Sequence, residues 1–137
     1  MRKRTKEELW EKLQGLDPGE YWVSWTDEDR TDTDKYEKHI EQRMSFGYSV
    51  YDWWSFDSYI AGVIAHAVDK FVKDGVGHPG NMTEAQWQEI CNRVSFPLKL
   101  WSSSERWKLE TDELEALYEK VQESLHLFAD NFGDFWD

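Results

Sequence analysis

Asp57-Ser58-Tyr59-Ile60-Ala61-Gly62-Val63-Ile64-Ala65-His66-Ala67-Val68-Asp69-Lys70-Phe71 sets Ile60, Val63, Ile64, Ala67 and Phe71 at helical spacing. A start near Ser55 or Asp57 suits this helix, because a carboxylate there accepts amide hydrogens at the positive end of the dipole. The glycines of Gly75 to Gly80 stop it. Downstream, Thr83-Glu84-Ala85-Gln86 is a capping box, with Met82 placed to staple onto Trp87. Trp87, Ile90, Cys91 and Val94 then mark one helix face as far as Pro97. Leu98 to Trp107 reads as an irregular or short helical link. After it, Leu114, Leu117, Tyr118, Val121, Leu125, Phe128 and Phe132 give a long terminal helix a stripe wide enough for a bundle wall.

Upstream, Thr5-Lys6-Glu7-Glu8 is another capping box, opening a short helix with Leu9, Leu13 and Trp10 on its apolar side. Asp17-Pro18-Gly19 ends it. Glu20 to Thr26 alternates Tyr21, Val23 and Trp25 with Trp22, Ser24 and Thr26, which predicts a strand. A helix surface, a small hairpin and a sheet in another molecule are all open to it as partners. An acidic loop, Asp27 to Asp34, leads into a helix capped by Thr33 or Asp34 and running to about Met44. The expected fold is mainly α: a small helical bundle with a short β segment near the N-terminus. One domain covers 1–137, with 1–45 an acidic N-terminal extension and 46–137 the helical core.

At 137 residues with 28 acidic and 16 basic side chains, the formal charge is -12. That balance argues against gripping nucleic acid or anionic lipid through a basic face, and the expected partners are cationic. Mean hydropathy is -0.82, and no apolar run approaches the roughly 20 residues of a membrane span. Met1 to Lys6 is basic like the start of a signal peptide, but Glu7, Glu8 and Glu11 occupy the place of its apolar segment. One cysteine, Cys91, allows no internal disulfide and no thiolate zinc cage, which fits a cytosolic compartment. Nine Trp, six Tyr and seven Phe separate the chain from an acidic coil, since so much ring surface must pack or meet a partner. The excess acid falls in two blocks, 17–41 and 105–137, around a nearly neutral centre, while 1–16 is weakly basic.

The chemical constellations point away from catalysis. Asp27, Asp29, Asp32 and Asp34 invite calcium, but an EF-hand beginning at Asp27 needs Gly in place of Asp32 and Glu in place of Lys38. His39, His66, His78 and His126 lack metal-ligand spacing. His66 and Asp69 are three residues apart on a helix, a spacing that could orient an imidazole for proton transfer, but beside an apolar face a hydrogen-bonded structural histidine is the favoured reading. No nucleophile elbow, phosphate loop or dinucleotide fingerprint occurs. Trp53-Trp54 with Tyr48, Tyr51 and Phe56 resembles a base-stacking platform without the basic groove such platforms need, which favours core packing or a protein hot spot. The tail from Asp130 to Asp137 combines acid and aromatic groups like a docking peptide, or folds back on the bundle as the last turn of the terminal helix.

Trp54-Ser55-Phe56-Asp57 with Ile60-Ala61 and Ile64, Gly77-His78-Pro79-Gly80, Met82-Thr83-Glu84-Ala85-Gln86-Trp87 with Ile90, and Leu127-Phe128-Ala129 with Phe132 and Trp136-Asp137 follow one another in that order. On these blocks the chain, from about residue 46 to 137, resembles a family of small uncharacterised proteins of tailed phages and prophages. Many relatives carry Pro or Gly followed by basic residues where this chain has His66-Ala67-Val68-Asp69, so no basic surface is expected there. The resemblance implies viral provenance and residence in the host cytoplasm, and it implies no activity.

Two functions are expected from these features, neither enzymatic and neither using a cofactor or metal. The first is a phage protein that binds and inhibits a host protein with a basic surface, an anti-defence factor or nucleic-acid mimic. Clustered carboxylates would imitate a phosphate backbone. Asp27, Glu28, Asp29, Asp32 and Asp34, with Glu113, Glu119 and Glu123, would supply the attraction. Trp22, Trp25, Phe135 and Trp136 would anchor the contact. The alternative is a structural or assembly module whose surplus aromatics are oligomer interfaces.

Overall fold

The computed structural model describes residues 2–19, 33–75 and 77–136. Among the described residues, five α-helices carry the fold: α1 (Lys6–Gln14), α2 (Thr33–Phe46), α3 (Phe56–Asp74), α4 (Glu84–Ser102) and α5 (Thr111–Asp130). Short 3-10 turns at Val50–Ser55, Ser104–Lys108 and Phe132–Asp134 join or end them. There is no β-strand among the described residues, so the expected bundle with a β segment is corrected to an all-helical fold. The stretch read as a strand, 20–26, itself lies outside the described residues. Alternation alone gives a strand no ladder, and the described elements are helices whose backbone groups are bonded internally.

The Thr83 box forms in full: the Gln86 amide donates to Thr83 Oγ1 at 3.1 Å and the Thr83 amide to Gln86 Oε1 at 2.8 Å. The Thr5 box forms by half. Thr5 Oγ1 accepts the Glu8 amide at 3.1 Å, but the Glu8 carboxylate turns to Arg2 at 2.6 Å. Pro97, expected to end the helix, lies inside α4. The ring removes the donor for the Arg93 carbonyl, and burial of Leu98 and Leu100 beyond it holds the helix on course. Beside this break, Ser124 of α5 donates its hydroxyl to the Val94 carbonyl at 2.6 Å.

Helix α4 is the centre, with α3 and α5 both packed on it and α1 lying on α5. Leu9 and Leu13 of α1 belong to the same core cluster as Ala65, Val68, Trp87, Cys91, Val94, Leu98, Leu117 and Val121. The segment grouped by sequence with an extension thus completes the core. The stripes of α3 and α5 are both rotated from expectation. Helix α3 buries Ser58, Ala61, Gly62, Ala65 and Val68 and leaves Val63 and Ala67 exposed, because its small residues fit against the large side chains of α4. Helix α5 buries Glu113, Ala116, Leu117, Val121 and Ser124, while Tyr118 and Leu125 face out.

Candidate functional site

Half of the residues expected to meet a partner, Trp22, Trp25, Asp27, Glu28, Asp29 and Asp32, lie outside the described residues. Asp34 is exposed in the first turn of α2, where its charge suits the helix dipole. The three glutamates of α5 expected to meet a partner, Glu113, Glu119 and Glu123, are each engaged within the molecule. Lys12 Nζ meets Glu113 Oε2 at 2.6 Å, and the Glu110 amide donates to Glu113 Oε1 at 3.0 Å. The Glu113 carboxylate is buried, and the Lys12 bond followed by the amide lowers its pKa despite that burial. Lys6 holds Glu119 at 2.6 Å, raising the lysine pKa and lowering the glutamate's, and Lys120 holds Glu123 at 3.1 Å. Arg4 adds weaker pairs to Glu110 and Asp112 at 3.9 and 4.0 Å. The basic start of the chain therefore neutralises much of the acidic start of α5. The opposite signs of 1–16 and 105–137 carried this signal in the sequence.

At the other end of α5 the acid is left over. Among the described residues, Asp130 and Asp134 form no ion pair, and Phe132 is exposed beside them. Phe135 turns inward, correcting its place among the exposed anchors: its ring lies 4.9 Å from Trp87, 5.0 Å from Phe128 and 6.0 Å from Phe71. This wedge clamps the tail to three helices and leaves the next ring, Trp136, 77% exposed. A cavity of about 360 Å³ opens beneath it, lined by His78, Asn81, Trp87, Asp134 and Trp136. The tail both docks, through Phe135, and projects, through Trp136. A second cleft of about 420 Å³ runs over α4 between Trp10, Arg93, Phe96, Lys120 and Leu127.

A third surface lies where α2 turns into α3. Arg43 clasps Asp52 with Nη2 at 2.6 Å and Nε at 3.1 Å, and the Ser49 amide donates to the same carboxylate at 2.8 Å. Burial works to raise the Asp52 pKa, but these donors outweigh it and the net shift is downward. Val50 is tied to Gln42 at 2.8 Å, and the Tyr59 hydroxyl donates to the Gly47 carbonyl. On this bonded turn, Trp54 is 94%, Met44 83%, Phe46 68% and Trp53 62% exposed. Trp53 and Trp54 are thus not core residues.

Asp57 does more than begin α3. It accepts the Trp101 indole N–H at 2.8 Å and Arg106 Nη1 at 3.2 Å. Arg106 is sandwiched between Trp101 and Trp107, with ring centroids 4.0 and 4.4 Å away. Separations of 44 and 49 residues kept this knot out of local sequence reading. Asp69, the candidate partner of His66, is ion-paired with Lys99 of α4. No group of three or more potential metal ligands occurs among the described residues, and no helix there is long and apolar enough to cross a membrane. Compared with family models, curated proteins and solved structures, the chain matches none.

Proposed function

We propose that this is a non-enzymatic phage protein of the host cytoplasm that binds and inhibits a host protein presenting a basic surface. The observation that carries the reading is the coincidence, at one end of the molecule, of an exposed Trp136 with Asp130 and Asp134, carboxylates that form no ion pair among the described residues. A tryptophan presented by a clamped tail loses little conformational freedom on binding, which is what a hot-spot anchor needs. The carboxylates around it, within a -12 molecule, steer a cationic partner and suppress acidic ones. Glu113, Glu119 and Glu123 have lesser parts in this contact, because Lys12, Lys6 and Lys120 already occupy them.

The test is capture of the partner from host lysate, its identification by mass spectrometry, and calorimetric titration of the purified pair. Trp136→Ala is expected to weaken binding by about thirtyfold, as loss of a hot spot does. Asp130→Asn with Asp134→Asn should weaken it further and flatten its salt dependence. An affinity that is the same in low and high salt and indifferent to Trp136 would overturn the proposal.

A further inference from the structure

Residues 44–56 contain a single charged side chain, Asp52, and Arg43 neutralises it in a buried bidentate pair. On a molecule of net charge -12 this turn is therefore locally neutral. It is also where Met44, Phe46, Trp53 and Trp54 stand mostly clear of the protein. Aromatic side chains present about 150–250 Å² each, so the three rings together with Met44 leave on the order of 500 Å² of apolar surface in water. An apolar area of that size lies at the upper end of what a typical monomer exposes, and such areas are often functional. Val50 and Phe56, each partly exposed, extend it toward the roughly 800 Å² that each member of a stable pair buries.

From this neutrality and this area we infer that the surface is covered by a second copy of the same chain, in a twofold dimer. Charge decides the occupant. A basic partner gains nothing from a turn without free carboxylates, whereas two copies of an anionic molecule approach most readily through their neutral faces. In a twofold contact the same patch meets itself, so Trp53 and Trp54 of one copy pack on the aromatic turn of the other. The turn is built to be met as a rigid body: the Arg43–Asp52 clasp, the Ser49 amide and the Tyr59 hydroxyl fix it before association. This dimer revives the assembly alternative. It uses a surface formed by residues other than those of the acidic C-terminal end, so either proposal survives the failure of the other.

Sedimentation equilibrium and light scattering of the full chain test it. The expected result is a reversible species of twice the 16.4 kDa chain mass, whose association is undiminished or strengthened by added salt because the remaining charges repel. The double variant Trp53→Ala/Trp54→Ala should weaken dimerisation at least about tenfold with an unchanged circular dichroism spectrum. Ser45→Glu, an exposed helical position beside Met44 and Phe46, should do the same by placing like charges across the axis. Trp107→Ala should leave the dimer intact. A wild-type chain that stays monomeric at high concentration, or a dimer indifferent to both patch variants, overturns the inference.

Discussion

At Glu113 two donors converge on one buried carboxylate, the Lys12 ammonium and the Glu110 amide, and together they hold its pKa below the ordinary 4.5. A group whose folded pKa is depressed contributes stability above its unfolded pKa and loses it as pH falls through the folded value. Glu113→Gln is accordingly expected to cost about 1–3 kcal/mol in urea denaturation at pH 7. The gap between variant and wild type should narrow below about pH 4.5, as the wild-type carboxyl takes up its proton. A gap that stays constant down to acid pH would show that shape, not charge, sets the cost. Cys91 is the opposite case. Burial, aided by the Asp69 charge, pushes its thiol up to about 11, so the nucleophilic thiolate is scarce at neutral pH. The folded protein should resist alkylation at pH 8 and react stoichiometrically in denaturant; rapid labelling of the native chain would contradict the buried site.

The elements were legible to different depths, and the differences have physical causes. The starts of α1 and α4 are written in local chemistry, Thr5 and Thr83 before their helices, and so could be read from a few adjacent residues. Which face a helix buries is not local. Val63 is as apolar as Val68, yet it is exposed, Ile60 and Ile64 are only partly buried, and the close fit to α4 selects Ala61 and Ala65. The Asp57–Trp101–Arg106 knot and the pairing of α1 with α5 were hidden for the same reason, since their partners meet only after folding. Of the candidate site, the acidic and aromatic tail was legible in composition, while the inward turn of Phe135 depends on two rings far away in sequence, Phe71 and Trp87, as well as on the nearby Phe128. Pro97 does not end α4 because the burial of Leu98 and Leu100 beyond it outweighs the proline's lost hydrogen bond, and that burial is not local information. Ser124→Ala probes this packing directly. Removing the hydroxyl that bonds the Val94 carbonyl close to Pro97 should cost about 1 kcal/mol. Amide exchange at the C-terminal half of α4 should rise with it, and protection unchanged there would sever Ser124 from the stability of the segment around Pro97.

For the whole molecule the sign of the salt effect on stability is decided by a comparison of magnitudes. The ion pairs at the surface, such as Arg2–Glu8, Lys6–Glu119 and Lys70–Asp74, are well exposed, and pairs of that kind contribute about 0–1 kcal/mol each before screening. Against them stands the mutual repulsion of a -12 chain. The screening length is roughly 30 Å at 0.01 M salt and about 8 Å at 0.15 M, so at low salt this repulsion acts across much of a domain of this size. It opposes the compact state more than the expanded one. The buried pairs, Arg43–Asp52 and Lys12–Glu113, have one partner almost out of solvent and are screened least. Adding salt should therefore raise the melting temperature. The measurement belongs on the Trp53→Ala/Trp54→Ala variant at low protein concentration, so that dimerisation does not add to the shift. A melting temperature that falls between low and moderate salt would mean that the exposed pairs linking α1 to α5 carry more of the stability than their exposure allows, and that the basic N-terminal segment is a principal tie of the bundle.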